Sequence, residues 1–203
     1  ITLVEITMVS PEDIELPAGD AADPVTGSEE WRLSYELRPR SLRTANPLPL
    51  LQHVLMEVPQ LRSHAGAIYT VLAELYSNAL EHGVLGLDSA LKSSANGFAD
   101  YYRARAMALE DLRGYVRFDF SCEIEGTRGS LIIRVEDSGP GIPPEKRDFV
   151  LKPFVRLDAA RNQNTGSGVG LGLSIAADIA RQHGGSLSIG ESRDLGGARV
   201  EIS

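Results

Sequence analysis

The sequence predicts an α+β fold, a two-layer sandwich in which a mixed, mainly antiparallel β-sheet carries helices on one face. Two observations support this prediction. Amphipathic patterns with a helical period alternate in blocks with short segments rich in β-branched and aromatic residues. Several of these strand-like segments come in pairs joined by short glycine-containing turns, as in antiparallel hairpins. Packing helices against such a sheet buries the apolar sides of both.

The composition limits the classes of function. The chain has 203 residues, of which 42% are hydrophobic and 24% charged, enough for one domain with a substantial core. The net charge of −8 argues against a nucleic-acid partner, because no basic excess is available to displace counterions. No apolar run reaches the length of about 18 residues that spans a bilayer. Cys122 is the single cysteine, so no internal disulfide can form, and this suits a reducing cytoplasm. The histidines and this cysteine lack metal-ligand spacing, so no zinc site is expected. We therefore expect a cytoplasmic chain without membrane contact.

The first 30 residues are predicted to lie outside the main domain. Residues 1–9 are rich in Ile, Val and Thr, which predicts one β-strand. Residues 10–30 hold seven acidic residues and three of the eleven prolines, which is typical of a solvated acidic linker. We therefore expect residues 31–203 to form the main domain, with a helical insertion at about 84–114.

The elements of the main domain follow from periodicity and turn signals. A strand is expected at 31–38 and a helix at about 48–58. The clearest helix is about 61–82, where apolar residues recur at helical spacing and Gly83 is a plausible C-cap. Further helices are expected at 97–112, as a short piece after 143, and from about 170 to 183; further strands are expected at 115–125, 130–136, 186–191 and 198–202. The apolar side predicted for the 97–112 helix consists of Phe98, Tyr101, Tyr102, Leu109 and Leu112.

Three motifs carry candidate chemistry, and the first lies on the 61–82 helix. Glu74 and Asn78 are four residues apart, so they are neighbours at the edge of the apolar stripe. A carboxylate and an amide in this position can hold a hydrated Mg²⁺ and activate a hydroxyl. Taken alone, the pair is also what a solvated helix edge looks like.

The second motif ends a predicted strand. Asp137 is followed by Gly139 and Gly141, and these glycines permit close backbone approach or a positive φ. Asp137 would then be an acceptor at the closed end of a pocket, for which an adenine amino group is a natural donor. A turn with a capping aspartate is the simpler interpretation of the same residues.

The third motif is the glycine-rich segment from Thr165 to Leu173. Glycines at alternate positions run into a predicted helix, and backbone N–H groups at such a helix start bind phosphate. The spacing matches neither a P-loop nor a dinucleotide fingerprint. A flexible linker is the alternative, but the apolar residues that follow the glycines argue against it.

In order and separation, the three motifs resemble the N, G1 and G2 boxes of the GHKL superfamily. Its members include histidine kinases, anti-sigma-factor serine kinases, and gyrase-type and Hsp90-type ATPases. The resemblance covers about residues 60–203. It implies the Bergerat ATP-binding fold with ATP and Mg²⁺ as cofactors.

The resemblance also implies a role for individual residues. Glu74 would be the catalytic residue beside the γ-phosphate, as a base or water orienter, and Asn78 would coordinate Mg²⁺. Asp137 would take the adenine amino group, while Gly139 and Gly141 shape the pocket. The remaining nucleotide-binding positions implied are His82, Ile142, Thr165, Gly166, Gly168, Val169, Gly170, Leu171 and Gly172.

Two parts of the chain resemble different branches of the superfamily. Residues 1–100 resemble the serine kinase module that follows a sporulation-type phosphatase, and residues 1–9 look like the last strand of that phosphatase. Residues 135–202 resemble the catalytic domain of an osmosensor-type histidine kinase. Our first prediction is a Mg-ATP-dependent kinase that phosphorylates a serine of an anti-sigma-factor antagonist in bacterial signalling.

Two alternatives stand beside this prediction. One is the catalytic domain of a two-component histidine kinase that lacks its phosphoacceptor helix and needs a separate phosphoacceptor domain. The other is a non-catalytic, nucleotide-dependent module that binds a sigma factor, for which the 84–114 insertion would be a partner surface if it does not pack on its own core. Both kinase families commonly form homodimers, so the resemblance makes a homodimer an expectation as well.

Some residues depart from the pattern of these families. Glu81 stands three positions after Asn78, where a basic residue that contacts phosphate is common. Ala198, after a pair of glycines, stands where Thr is common. Neither His53 nor His64, the histidines upstream of the N box, has the flanking residues of a phosphoacceptor helix.

Overall fold

A computed structural model describes residues 29–88, 97–125, 128–152 and 171–203. The predicted strand at 1–9 and nearly all of the predicted acidic linker lie outside the described residues. The division into domains therefore stays a prediction. So does the placement of the glycine-rich positions from Thr165 to Gly170.

The sheet has five strands in the order β1-β2-β3-β5-β4. Every strand pair in the described ranges is antiparallel. In these ranges the sheet is therefore fully antiparallel, where the prediction was a mixed, mainly antiparallel sheet. The long central hairpin sets the register, in which Phe120 pairs with Leu33 on one side and Ile133 on the other. The strands are β1 Glu29–Leu37, β2 Val116–Glu125, β3 Arg128–Asp137, β4 Leu187–Glu191 and β5 Ala198–Ile202.

Six α-helices lie in the described part of the chain. They are α1 Pro39–Thr44, α2 Leu48–Met56, α3 Ala65–Ser77, α4 Gly97–Glu110, α5 Pro144–Val150 and α6 Gly172–Gln182. The short α1 was not predicted, although Pro39 at its first position is a helix-start signal. Within the described ranges, no helix combines the length and the apolar character that crossing a bilayer requires.

The predicted helix at 61–82 consists of three segments. A 3₁₀ segment, Pro59–His64, precedes α3, and a π-helical segment, Asn78–Val84, follows it. We call Asn78–Val84 the π turn. It continues through Gly83, which is therefore not the helix C-cap. Its wider backbone is closed by a bond from the Leu85 amide to the Leu80 carbonyl oxygen at 2.8 Å.

The core lies between the helices and one face of the sheet. Alternate residues of β2 are buried, among them Val116, Phe118 and Phe120, and they pack against α3 residues such as Leu72 and Leu75. The opposite face of the sheet carries charged side chains. This alternation gives the predicted two-layer arrangement, because each strand has one apolar and one polar side.

The predicted apolar side of α4 was partly wrong. Tyr101 and Leu112 are buried, and Leu109 packs against the core. Phe98 and Tyr102 are 52% and 63% exposed. The buried face of α4 is therefore narrower than the apolar pattern suggested, because only one edge of the helix packs against the domain.

The core assignment predicts a large effect of truncating Leu72. Leu72→Ala should lower the free energy of unfolding by about 2–5 kcal/mol, because the side chain is fully buried and a cavity remains. The same substitution at Leu50, which is 39% exposed, should cost less than about 1 kcal/mol. Urea unfolding of both variants measures the difference. Equal losses would contradict this placement of the core.

Candidate functional site

The last turn of α3 and the first residue of the π turn present the predicted N box. The side-chain Nδ2 of Asn78 donates to the backbone carbonyl oxygen of Glu74 at 2.7 Å. This bond turns the amide nitrogen towards the helix and leaves the amide oxygen without a partner among the described residues, so that the oxygen could act as a ligand. The Glu74 carboxyl is half-buried, and this burial raises its pKa. A carboxylate with a raised pKa is a better base than one in water.

The start of α6 lies directly against this pair. A Cβ atom at Gly172 would collide with Oε2 of Glu74 and would lie 3.1 Å from Nδ2 of Asn78. The approach is therefore possible only because position 172 is glycine. The fold thus brings the last glycine of the third motif to the carboxylate and amide of the first.

Asp137, at the end of β3, forms a second part of the site. Its side chain is only 4% exposed. Oδ1 accepts hydrogen bonds from the backbone N–H groups of Gly139 at 2.8 Å and Ala198 at 3.3 Å. Oδ2 accepts no hydrogen bond from the described residues. Asp137 therefore keeps one oxygen for a donor from outside the chain.

Three glycines surround the Asp137 carboxyl. A Cβ at Gly83 would lie 2.6 Å from Cγ of Asp137. A Cβ at Gly139 would collide with the Gly83 carbonyl, and one at Gly197 would collide with the backbone oxygen of Asp137. The π turn, the end of β3 and the β4–β5 turn therefore meet closely around one carboxyl. Gly83, Gly139 and Gly197 are hereafter the glycine cluster.

Burial shifts the protonation of Asp137. Removal of the carboxyl from water raises its pKa to about 6, against the lowering effect of the bonds from Gly139 and Ala198; the neighbouring Glu136 raises it further. The carboxyl is thus ionised at neutral pH, and it would gain from an additional hydrogen-bond donor.

A partly buried ionic network holds the β4–β5 turn in place. Glu136 is 6% exposed, and its Oε2 accepts from Nη2 of Arg117 at 2.5 Å and from Oγ of Ser192 at 3.1 Å. The same Arg117 nitrogen lies 2.8 Å from a carboxylate oxygen of Asp194. Since Ser192 and Asp194 belong to the turn that ends at Ala198, this network helps to aim the Ala198 N–H at Asp137.

Gly141, Ile142 and His82 are further predicted positions among the described residues. Gly141 adopts a positive φ of 75°, which glycine accepts without strain. The carbonyl oxygen of Ile142 accepts from Nε of Arg147 at 3.0 Å, which ties the segment to α5. His82 is exposed, and its Nδ1 lies 2.9 Å from the Leu87 carbonyl oxygen, so its visible role is to close the turn.

The described residues bring together most of the predicted site. Glu74, Asn78 and Gly172 meet, and the π turn connects them to Asp137. The predicted positions Thr165, Gly166, Gly168, Val169 and Gly170 lie outside the described residues, whereas Leu171 is half-buried just before α6. Sequence reasoning missed Gly83, Gly197 and the Ala198 amide as parts of the pocket. The glycine pair before β5 is the signal that could have indicated Gly197.

Comparison with protein families identifies the domain. The model of the family "Histidine kinase-, DNA gyrase B-, and HSP90-like ATPase" matches residues 64–203. The chain belongs to this ATPase family. The matched region contains the N-box pair, Asp137 and the whole glycine cluster, so the resemblance to the GHKL superfamily is confirmed.

The relatives of this ATPase domain include bacterial sensor proteins. Sensor protein RstB of Escherichia coli K12 is 50% identical over 80 residues, which is 39% of this chain and 18% of RstB. Sensor histidine kinase CpxA of the same strain is 41% identical over 75 residues, 37% of this chain and 16% of CpxA. The solved mycobacterial sensor histidine kinase MprB is 31% identical, covering 36% of this chain and 45% of that structure, with a TM-score of 0.28. The chain thus spans less than a fifth of RstB and CpxA.

The raised pKa of Asp137 predicts how stability depends on pH. Between about pH 4 and pH 6 the folded protein keeps the Asp137 proton while the unfolded chain loses it. The free energy of unfolding should therefore fall as pH rises through this window, by up to about 3 kcal/mol from this group. Asp137→Asn should remove that part of the slope.

Urea unfolding at pH 4, 5, 6 and 7 measures the effect. Asp148→Asn, at an exposed position on α5, is the matched control. The same pH dependence in the parent protein and in Asp137→Asn would show that the carboxyl is not held in a desolvated pocket.

Proposed function

We propose that this domain is the ATP-binding catalytic domain of a sensor histidine kinase, which transfers the γ-phosphoryl group of ATP to a histidine of a separate phosphoacceptor domain. The main support is that Gly172, at the start of α6, lies against Glu74 and Asn78, the predicted catalytic residue and the predicted Mg²⁺ ligand. The sensor proteins RstB and CpxA, similar to this chain over 80 and 75 residues, support the same branch of the family.

This proposal reverses the order of the functions predicted from sequence. The serine kinase acting on an anti-sigma-factor antagonist was the first prediction, and the relatives reported above give it no support. The histidine kinase alternative is better supported, because both of those relatives are sensor proteins and CpxA is by name a histidine kinase. Since ATP would be the phosphoryl donor, we place the reaction in the cytoplasm.

The Asp137 pocket suits the adenine ring. An exocyclic amino group would donate to Oδ2 of Asp137, the oxygen with no partner among the described residues. The absence of side chains on the glycine cluster lets a flat ring approach the backbone closely. A buried carboxylate that gains such a donor makes a strong, directional contact, and this selects adenine over bases without an amino group at that position.

The residues present fit a magnesium ion bound through ATP. No group of three or more His, Cys, Asp or Glu side chains in the described ranges could hold a metal by itself. Mg²⁺ needs less from a protein, because it keeps water and takes phosphate oxygens. The free amide oxygen of Asn78 would hold it, with Glu74 close by. When bound, the ion would neutralise phosphate charge during the transfer.

The protein's part in the transfer is positioning and proton handling. A nitrogen lone pair of the acceptor imidazole forms a bond to the γ-phosphorus, the bond to the β–γ bridging oxygen breaks, and ADP leaves. Glu74 would accept the proton that the phosphorylated imidazole releases, and its raised pKa suits that role. The N–H groups at the start of α6, near Gly172, would supply hydrogen-bond donors to the phosphates.

Asp137→Asn tests the adenine contact. The substitution should weaken Mg-ATP binding at least about tenfold, because a charged acceptor becomes a neutral one. In the parent protein, affinity should also fall as pH drops below about 6, where Asp137 gains a proton. Calorimetry at pH 5 and pH 7.5 measures both effects, with Asp148→Asn as the control. Unchanged affinity in Asp137→Asn would contradict the adenine assignment.

Glu74→Gln tests the catalytic assignment. The variant should bind Mg-ATP about as tightly as the parent but transfer the phosphoryl group about 100-fold more slowly, the usual contribution of a positioned base. The assay offers ATP with two acceptors in parallel, a histidine-containing dimerisation domain of a sensor kinase and an anti-sigma-factor antagonist protein. Transfer to serine alone would restore the first prediction. Tight binding without any transfer would favour the sigma-factor-binding module.

A further inference from the structure

We propose that α4 is a positioning element of the nucleotide site, in which Tyr101 and Arg105 clamp Glu81 and thereby fix the π turn beside the Asp137 pocket. The inference rests on the proposed function, because it assigns the clamp a part in nucleotide binding. It gives the predicted insertion at 84–114 a role within the domain. It also gives Glu81 a role. In the families that this chain resembles, a basic residue that contacts phosphate is common at that position.

Among the described residues, three contacts to one carboxylate form the clamp. The Tyr101 hydroxyl donates to Oε2 of Glu81, and Nε of Arg105 donates to Oε1 at 3.2 Å. The hydroxyl of Ser77, at the end of α3, donates to Oε2 at 3.3 Å. Both carboxylate oxygens are thus occupied, and two of the three donors come from α4. Helix α4, some 20 residues after Glu81 in sequence, therefore holds the π turn in place.

Burial makes these contacts strong. Tyr101 is 1% exposed, and the side chains of Glu81 and Arg105 are 16% and 32% exposed. Burial, followed by the hydrogen bond to Glu81, raises the pKa of the Tyr101 hydroxyl, which therefore stays a donor at all ordinary pH values. A hydrogen bond to a charged acceptor in such surroundings is among the stronger ones in proteins.

Glu81 lies where its position controls the pocket. The Leu87 amide donates to the Glu81 carbonyl oxygen at 2.8 Å, which fixes the exit from the π turn. Two residues after Glu81, Gly83 packs so closely on Asp137 and Gly139 that neither glycine has room for a Cβ. A displacement of Glu81 would therefore be passed to Gly83 and to the wall of the adenine pocket.

The far end of α4 is anchored as well. Arg43, the last basic residue of α1, donates from Nε to the Leu109 carbonyl oxygen at 2.8 Å and from Nη2 to the Leu112 carbonyl oxygen at 3.1 Å. These bonds satisfy carbonyl groups at the end of a helix. Since α4 is held both there and at Glu81, it can act as a fixed support for the π turn.

Two tyrosines of α4 provide a matched test. Tyr101→Phe removes one hydroxyl from the clamp, and Tyr102→Phe removes one from a side chain that is 63% exposed. Tyr101→Phe should raise the Kd for Mg-ATP about tenfold, the effect of one lost bond to a charged group. Tyr102→Phe should leave it within about twofold. Amide hydrogen exchange at Leu85 and Leu87, measured without nucleotide, should be faster in Tyr101→Phe only.

Glu81→Lys distinguishes the clamp from a missing phosphate contact. If position 81 served the phosphates, a lysine there would tighten Mg-ATP binding. The clamp predicts the opposite, because lysine cannot accept from Tyr101 and repels Arg105. Glu81→Gln, which keeps an acceptor but loses the charge, should fall between the parent and Glu81→Lys. If Glu81→Lys does not fold, Arg105→Gln against the exposed control Arg103→Gln replaces it, with weaker binding expected in Arg105→Gln alone.

Four results would each overturn part of this proposal. Equal affinity and equal exchange in Tyr101→Phe and Tyr102→Phe would overturn the clamp, as would tighter binding by Glu81→Lys. Faster exchange in Tyr101→Phe together with unchanged ATP affinity would overturn the link to nucleotide binding. A parent protein that binds no ATP, but whose exchange responds to Tyr101→Phe, would overturn the proposed function and leave the clamp itself supported.

Discussion

The site depends on one buried carboxyl, that of Asp137, and on the free energy that its removal from water requires. Desolvation raises its pKa to about 6, and two backbone N–H groups recover part of that cost through a single oxygen. The other oxygen then gains most from an incoming donor. The glycine cluster surrounds this carboxyl because three backbone segments can reach it only where side chains are absent. The Arg117–Glu136 network behind it keeps the β4–β5 turn in reach.

The π turn joins this pocket to the N-box residues Glu74 and Asn78. It begins at Asn78, whose amide oxygen is left free by the bond to Glu74, and it passes Gly83 over Asp137. A π-helical segment often marks a functional site, because the wider turn redirects side chains that a regular helix would place elsewhere. Its geometry is weaker than that of an α-helix, so support from outside is expected. The contacts of α4 to Glu81 provide such support.

Local patterns allowed much of this to be predicted. The hairpin and the helices that carry the motifs follow from periodicity and turn signals, which are properties of neighbouring residues. That Gly172 shares a site with Glu74 and Asn78 was implied only by the resemblance to the GHKL superfamily. The π turn and the close packing of Gly83 could not be predicted, because they depend on contacts with β3, more than 50 residues away in sequence. Likewise, an acidic residue at position 81 looked like a lost phosphate contact until its partners on α4 were known.

We propose that adenine nucleotide binds against Asp137, between the glycines of three backbone segments. The most direct measurement is a ¹H–¹⁵N correlation spectrum of the domain, recorded during titration with Mg-ATP. We expect the largest shifts at the amides of Gly83, Gly139, Gly197 and Ala198, while the outer face of the sheet, represented by Arg134 and Glu201, stays unchanged. Shifts confined to that outer face, or a spectrum in which the glycine amides do not respond, would contradict it.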